Sequence, residues 1–336
     1  MLQKIPIPSD HNDPKWHEIR KGSLGGSEIS AVLKMNDYES AYSVWAKKTG
    51  RIPEFEGNLR TEVGTALEQF VANKFAEVSG LGKCVQKTGY MYKDSEIPFL
   101  HALPDRLIHA TAGPKSPVTA GLECKTTSAW NTTRFKGIDF PMQYYPQCVQ
   151  YMGVMKIPVW YLAVLVGNAE MHYYRLTVQG VIVRDEPWLD GSVTVDDTEF
   201  PSLVSKAREF WSHLNDDDYP DVDGSNATCE AIDAQFGETT NGEEMEDPTF
   251  EITCRLIEEL KEQKDAIEKK IAEHENAIKA HMGEYEKLHT GGHVVNWKPS
   301  TRNTIDSKAL RKDFPEIAEK YTKTSVSRRF EIKEEK

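Results

Sequence analysis

Two acidic residues and a lysine stand out by type and spacing. Asp105 follows Pro104 at the start of a candidate strand, and Glu123 and Lys125 lie two positions apart in another, so their side chains share one strand face. Carboxylates converging on one point offer hard oxygen ligands suited to magnesium, which keeps several waters and binds phosphate groups. A neighbouring lysine can hold or activate an attacking water and offset phosphate charge, while a pair of ions would stabilise the attacking and leaving oxygens of an in-line displacement. Such a set could hydrolyse a phosphodiester. Glu-x-Lys alone is a weak signal, because the two residues alternate on many solvent-facing strands. It gains weight from the Pro-Asp a hairpin's length upstream and from Glu68, a helical glutamate that precedes both. His101 and His109 flank Asp105 but lack a partner at ligand spacing, and they read as ordinary strand residues. Trp130 and Trp160 read as packing groups rather than base-stacking ones.

Several elements must hold these residues. Ser27 to Met35, with a serine in capping position, and Ala41 to Lys48 read as helices. From Thr61 to Val78, apolar residues at Val63, Leu67, Phe70, Val71, Phe75 and Val78 recur at three- and four-residue steps, which predicts a helix with one buried face and Glu68 beside it. Gly89 to Lys93, Asp105 to Ala110 and Val118 to Thr126 read as strands of a meander, the last two separated by the turn-forming Thr111 to Pro117. Pro141 opens a helix through about Met155. The runs Val159 to Val166 and Glu170 to Thr177 read as strands, the first apolar on both faces and therefore central. The order is mixed α/β.

The 336 residues, 39% of them hydrophobic, suffice for one core of ordinary size plus an appendage. A net charge of -12 looks wrong for a DNA-binding protein, which normally leaves a basic footprint. The acid is local, however: Asp185 to Leu260 holds 22 acidic and 3 basic residues, and the rest of the chain is net basic. Asn215 to Asp223 and Glu238 to Asp247 read as a solvated connector. Beyond it, Leu256, Leu260, Ile267, Ile271, Ile278 and Met282 alternate four- and seven-residue steps, an eleven-residue repeat that predicts a long helix packed on its own chain or a sister subunit. Asp265 with Lys269 and Glu275 with Lys279 add i,i+4 pairs. The tail from Gly291 is basic, with Val294 to Trp297 and Ser327 to Ile332 alternating like strands around a short helix. The domains expected are therefore residues 1–215, an acidic connector 216–248, a long helix 249–290 and a small α+β module 291–336. Five scattered cysteines argue for reduced thiols rather than a disulfide framework, structural zinc or an iron–sulfur cluster. No apolar run approaches a membrane span, and the first sixteen residues lack a secretory core, so a cytoplasmic location is expected.

The Pro104-Asp105 and Gly121 to Thr127 segments, with the helical Glu68 before them, resemble the PD-(D/E)XK nuclease core, a restriction-endonuclease-like central mixed sheet flanked by helices. More closely, five ordered segments between Trp16 and Leu176 resemble the YqaJ-like viral recombinases, the phage exonucleases related to lambda exonuclease. Arg20 to Ile29 is similar to their arginine, glycine and serine opening, followed by Val44-Trp45 and Lys48-Thr49-Gly50; Gly64 to Glu68 is similar to their helical glutamate motif. Leu103-Pro104-Asp105-Arg106 stands where they usually carry Ser-Pro-Asp-Gly, Leu122 to Thr127 is similar to their Glu-x-Lys-Thr, and Pro141 to Tyr151 to their Tyr-x-x-Gln-x-x-Gln-Tyr helix.

The resemblance implies roles. Asp105 and Glu123 would ligate the metal with the backbone carbonyl of Cys124 between them, and Glu68 would serve a second ion or its water. Lys125 would position the attacking water, supported by Gln147, and Arg20 with Ser27 would receive the 5′-phosphate of a duplex end, as bidentate arginine and a serine hydroxyl can. From the residues alone, Glu68 also fits a solvated helix position, Gln147 a core-edge amide, and Arg20 with Ser27 a surface cation and a helix cap. Leu103 and Arg106 depart from the pattern, which puts in doubt a phosphate contact from the serine position. Implied further are two Mg2+ ions, replaceable by Mn2+, and 5′-to-3′ resection of one strand of linear duplex DNA to leave 3′ overhangs. A homotrimeric ring around DNA and cooperation with a phage single-strand annealing protein complete the expectation. An endonuclease or nickase on the same core is the alternative; a non-catalytic recombination protein fits less well with a complete Asp105, Glu123 and Lys125 set. A helicase–nuclease or cluster-bearing nuclease would need a Walker loop or a cysteine quartet, which the sequence lacks.

Overall fold

The computed structural model describes residues 1–8, 13–113, 115–215, 218–238, 242–324 and 326–333. The chain falls into two units, Met1–Gln235 and Phe236–Lys336. The first opens with strand β1 (Leu2–Pro6) and helices α1 (Pro14–Lys21), α2 (Gly26–Val32), α3 (Ala41–Lys48) and α4 (Leu59–Val78). Asp13 caps α1 ahead of Pro14, Ser40 and Ser43 exchange capping bonds at α3, and the Asn58 side chain accepts from Arg60 and Thr61 at α4. At α2 the cap is Gly25, whose N–H donates to Glu28 Oε2 at 2.6 Å, so Ser27 lies inside the first turn rather than capping it.

Strands β2 (Val85–Lys87), β3 (Tyr90–Asp94), β4 (Arg106–His109) and β5 (Val118–Thr127) follow, then α5 (Tyr145–Met155), β6 (Val159–Val166), β7 (Glu170–Val178), β8 (Gly191–Val195), α6 (Glu199–Asn215) and α7 (Asn226–Phe236). The main sheet has the order β2-β4-β5-β6-β7-β8. β5–β6 and β7–β8 are parallel and the other pairs antiparallel, giving the mixed sheet expected. The parallel step from β5 to β6 requires a crossover, and α5 lies within it. β6 is central and apolar on both faces. Trp160, Leu162, Val164 and Val166 join a core with residues of α2, α3, α5, α6 and α7. Tyr161, Ala163 and Leu165 join a second core with Val71, Ala72 and Phe75 of α4.

The meander is only partly realised. β3 leaves the main sheet to pair with β1, and the three-residue β2 takes the edge beside β4. Asp105 precedes β4 rather than lying in it. The apolar face of α4 is narrower than its sequence suggests: Val71, Ala72 and Phe75 are buried, whereas Val63, Phe70 and Val78 are each more than 40% exposed. The acidic stretch 216–248 is more than a connector, because it contains α7. Ala231 enters the core, Thr228 donates from Oγ1 to Ser40 Oγ at 2.7 Å, and Tyr42 donates to Gln235 Oε1 at 3.0 Å. Glu230 and Asp233 occupy outer positions of this helix, whose buried residues Thr228 and Ala231 are small, and net charge alone conceals that inner face. Asp216, Asp217 and residues 239–241 of the acidic stretch, and Pro114 of the turn, lie outside the described residues.

The second unit holds the predicted long helix, α8 (Glu251–Met282), then β9 (Lys287–Thr290), β10 (His293–Asn296), α9 (Ser307–Asp313) and α10 (Pro315–Lys320). β9 and β10 form a hairpin through Gly291-Gly292, both at positive φ as a two-residue hairpin turn requires. The partner of Val294 to Asn296 is thus upstream, and Ser327 to Ile332 forms no strand. Leu256, Leu260, Ile267 and Ile271 remain at least half exposed. Glu275 pairs with Lys279 as expected. No helix of the described residues is long and apolar enough to cross a membrane, and all five cysteines are free thiols.

Candidate functional site

Strand alternation sorts the residues of β5. Leu122 and Cys124 point into the core beneath α4, which leaves Glu123 and Lys125 on the face covered by α5. There Glu123 Oε1 accepts hydrogen bonds from Lys125 Nζ at 2.7 Å and from Gln147 Nε2 of α5. Gln147 Nε2 also donates to the Tyr151 hydroxyl at 3.2 Å. Asp105 is pinned to the same strand, because its Oδ2 accepts from the Cys124 backbone N–H at 2.7 Å. The structure thus brings Asp105, Glu123, Lys125 and Gln147 together. The Lys125 ammonium lies 5.7 Å from the Tyr144 ring centroid.

Burial pushes the Asp105 carboxyl well above the usual carboxylate range, and the neighbouring Glu123 adds to this, against a smaller opposing pull from Lys125. Burial likewise raises Glu123, offset in part by Lys125 and Gln147. For Lys125, burial opposes the charged form, but Glu123 and Asp105 outweigh it and hold the ammonium protonated above its ordinary range. Glu123 Oε2 is buried with no hydrogen-bond partner. An unpartnered buried carboxylate oxygen beside a second carboxylate costs free energy unless a cation joins them. The two carboxylates of Asp105 and Glu123 thus could hold a hard divalent ion.

Glu68 stands apart. Its Oε1 is ion-paired with Arg106 Nη1 and lies 3.5 Å from Lys87 Nζ. Arg106 Nη1 also donates to the Asp105 carbonyl oxygen at 2.6 Å, and Nη2 to Gln69 Oε1 at 3.0 Å. Among the described residues, no three His, Cys, Asp or Glu side chains stand together as a complete ligand set.

A second cluster is cationic. Arg20 of α1 stacks on the Trp16 ring with its Cζ 4.2 Å from the centroid, and its Nε is buried without a hydrogen-bond partner. A Cβ on Gly25 would lie 3.0 Å from His101 Nε2 and 3.3 Å from Arg20 Nη2, so glycine leaves open the space that both groups face. His101 is buried outside any strand, shares a hydrogen bond at 2.9 Å between Nδ1 and Ser23 Oγ, and has no partner at Nε2. Burial first, then Arg20, Lys48 and Lys93, hold the imidazole neutral well below its usual range. Lys48 Nζ donates to Ser23 O at 2.9 Å and pairs with Glu28 at 2.9 Å. Lys93 Nζ donates to Gly22 O at 3.3 Å, and burial lowers its pKa, helped by Lys48. A cleft of about 380 Å³ lined by Lys21, Lys48, Thr49, Arg51, Trp211 and Leu214 adjoins this cluster at Lys48. Ser27 is exposed in the first turn of α2.

Helix α5 links the clusters. Gln147 bonds Glu123, and one turn later Gln150 donates from Nε2 to Leu24 O at 3.0 Å and to His101 O at 2.7 Å. A Cβ on Gly26 would meet Gln147 Cγ at 2.4 Å, so glycine at that position lets α2 cross close over α5. Lys93 and Gln150 were given no role by sequence reasoning, and His101 was read there as an ordinary strand residue. Gln150 was legible as the second glutamine of the Tyr-x-x-Gln-x-x-Gln-Tyr segment, whereas no spacing signal marks His101 or Lys93. His109 donates from Nδ1 to Ser116 O at 2.8 Å at the end of β4, and Trp160 is core; Trp130, expected to pack, is 94% exposed.

The sequence profile of the YqaJ-like viral recombinase domain matches residues 15–157, which hold both clusters. The uncharacterized protein YqaJ of Bacillus subtilis (strain 168) is 32% identical over 333 residues, covering 97% of this chain and 96% of its own. Among solved structures, the chain is similar to an alkaline exonuclease (LHK-Exo) from Laribacter hongkongensis, with TM-score 0.41 and 16% identity over 60% of this chain and 93% of that one. It is also similar to a phage-related exonuclease from Haemophilus somnus 129PT, with TM-score 0.37 and 12% identity over 58% and 96% of the respective chains. Because a relative of that identity runs alongside nearly the whole chain, and the matched domain covers the segment whose motifs meet around α5, the chain belongs to the YqaJ-like viral recombinase family.

Proposed function

We propose that this protein is a Mg2+-dependent deoxyribonuclease that digests linear duplex DNA from the 5′ end, one strand at a time, to expose 3′ single strands for recombination. The observation that carries the reading is the set of half-buried Asp105 and Lys125 with buried Glu123 and Gln147, in which Glu123 Oε2 has no partner. A divalent ion bound there would neutralise the paired carboxylates and polarise the scissile phosphate. Lys125 Nζ, kept protonated, donates to the attacking water or to a phosphate oxygen, while Gln147 fixes Glu123 so that the lysine cannot swing away. Water adds to phosphorus, the P–O3′ bond breaks, and the proton passes to the departing 3′ oxygen or to solvent. The shortened strand then carries a new 5′-phosphate. Arg20, Lys48 and Lys93 around the neutral His101, with Ser27 of α2 as the further donor that family likeness implies, would receive that dianion, so each turnover regenerates the end that the protein grips.

Family likeness extends the proposal to a homotrimeric ring around the duplex and to a single-strand annealing protein as partner. The test compares linear duplex carrying 5′-phosphate or 5′-hydroxyl ends with closed circular duplex. The reading expects loss of 5′-phosphorylated linear DNA and survival of the circle. Cutting of the closed circle would show an endonuclease on the same core.

A further inference from the structure

We infer that Arg106 takes up the Glu68 carboxylate that a second metal ion would need, so that each catalytic site holds one divalent cation, on Asp105 and Glu123, together with one fixed guanidinium. The inference rests on the metal-dependent reading of Asp105 and Glu123 and narrows the two-ion arrangement implied by the sequence resemblance.

Arg106 is only 2% exposed. Its guanidinium makes three contacts, all on residues beside the site: the Glu68 carboxylate, the Asp105 carbonyl oxygen at 2.6 Å and the Gln69 amide oxygen at 3.0 Å. The sheet register explains the direction. Arg106 lies directly opposite Leu122, and cross-strand partners point to the same face, so Arg106 is turned toward α4, where Glu68 and Gln69 wait. Glu123, one residue along, is turned to the opposite face, toward α5. The two carboxylates therefore stand on opposite faces of the sheet, and a cation already pairs with Glu68.

Two physical consequences follow. Drawing Glu68 away to ligate an ion would leave a buried guanidinium without its counter-charge, which is far costlier than leaving the pair intact. A divalent ion placed beside Glu68 would also face the fixed positive charge of Arg106. Both effects disfavour a second ion, and neither touches the first, because Glu123 and its unpartnered Oε2 lie with Lys125 and Gln147. The absence of a three-carboxylate ligand set among the described residues accords with this division. Arg106 is thus a positioning residue: it acts on the site through Glu68 and places a permanent positive charge beside that carboxylate.

The experiment counts Mn2+ bound by the full chain without DNA, by calorimetry and by electron paramagnetic resonance. Site ions are those present in the wild type and lost in Asp105→Asn, which discounts loose binding to the acidic stretch. One site ion per chain with an uncoupled spectrum is expected, as is unchanged affinity, within about twofold, in Glu68→Gln. Arg106→Gly is expected to bind a second ion and to show spin coupling between the two. Two coupled ions in the wild type, or loss of an ion in Glu68→Gln, would overturn the inference while leaving the metal site standing. No site ion at all in the wild type would instead sink the metal-dependent reading on which it rests. Should Arg106→Gly fail to fold, the wild type and Glu68→Gln decide the matter alone.

Discussion

The carboxylate cluster and the cationic cluster are both buried and both bonded to α5, yet their charge imbalances are opposite. Around Glu123, acids crowd a single ammonium and one carboxylate oxygen has no partner. Around His101, three cations surround an imidazole that burial keeps neutral, and a nitrogen of His101 and of Arg20 has no partner. A fold that evolved only for stability would have paired these groups with one another. They stand one helical turn apart on α5, and although Lys125 pairs with Glu123 and Lys48 with Glu28, each keeps an unpartnered buried atom, which on the proposed reading is one place for a cation and one for an anion. That is the difference expected between a metal site and the site of a terminal phosphate.

The comparison can be broken from either side. The largest effect is expected for Asp105→Asn, which removes an ionic oxygen from the carboxylate cluster: hydrolysis should fall at least about 1,000-fold, with affinity for a 5′-phosphorylated duplex end kept. Equal loss of end binding would mean that the two clusters do not act separately. Arg20→Ala should lower the rate on 5′-phosphate ends by about 10- to 100-fold, the worth of a charged hydrogen bond or two, and should erase the preference over 5′-hydroxyl ends. A rate that falls equally for both ends would remove Arg20 from phosphate recognition.

Gln150→Ala tests the link between the clusters. It removes a donor from two buried carbonyls, of which Leu24 O keeps the His101 backbone N–H at 3.0 Å while His101 O loses its amide partner, and urea unfolding should show a loss of about 1–3 kcal/mol. A neutral result would mean that water replaces the amide without cost. The smallest effect concerns pH. Because His101 is held neutral in the folded protein but titrates near 6.5 when unfolded, its contribution is fully present above about pH 6.5 and is lost as pH falls below it. His101→Gln should flatten that acid limb of the stability profile; an unchanged slope would show that His101 takes up a proton in the fold.

Much of this was legible in the sequence where local pattern and tertiary packing agree. The run Val159 to Val166 reads as a central strand because it is apolar at every position, and β6 is indeed covered on both sides. Glu123 and Lys125 share a face because strands have period two. Legibility failed where a long-range partner decides the outcome. β3 pairs with β1, more than 80 residues upstream, which no local alternation announces. The helix α7 hides inside an acidic stretch because Thr228 and Ala231 are small, and small residues carry little hydropathy signal. Trp130 is exposed although tryptophan usually packs. Arg106 was visible only as a departure from a motif, and its meaning depends on Glu68, 38 residues away. His101 gave no signal, since a lone histidine acquires its role from the lysines and arginine that the fold brings to it.

The central claim is that the Asp105, Glu123 and Lys125 set performs metal-dependent hydrolysis from the 5′ end. The most direct measurement is digestion of linear duplex with a label at one 5′-phosphorylated end, with Mg2+ or with chelator, by the wild type and by Lys125→Ala. Mg2+-dependent loss of the 5′ strand alone, abolished by the substitution while the protein stays folded, is the predicted result. Digestion that persists in Lys125→Ala or in chelator, or no digestion by the wild type under any condition, would contradict it.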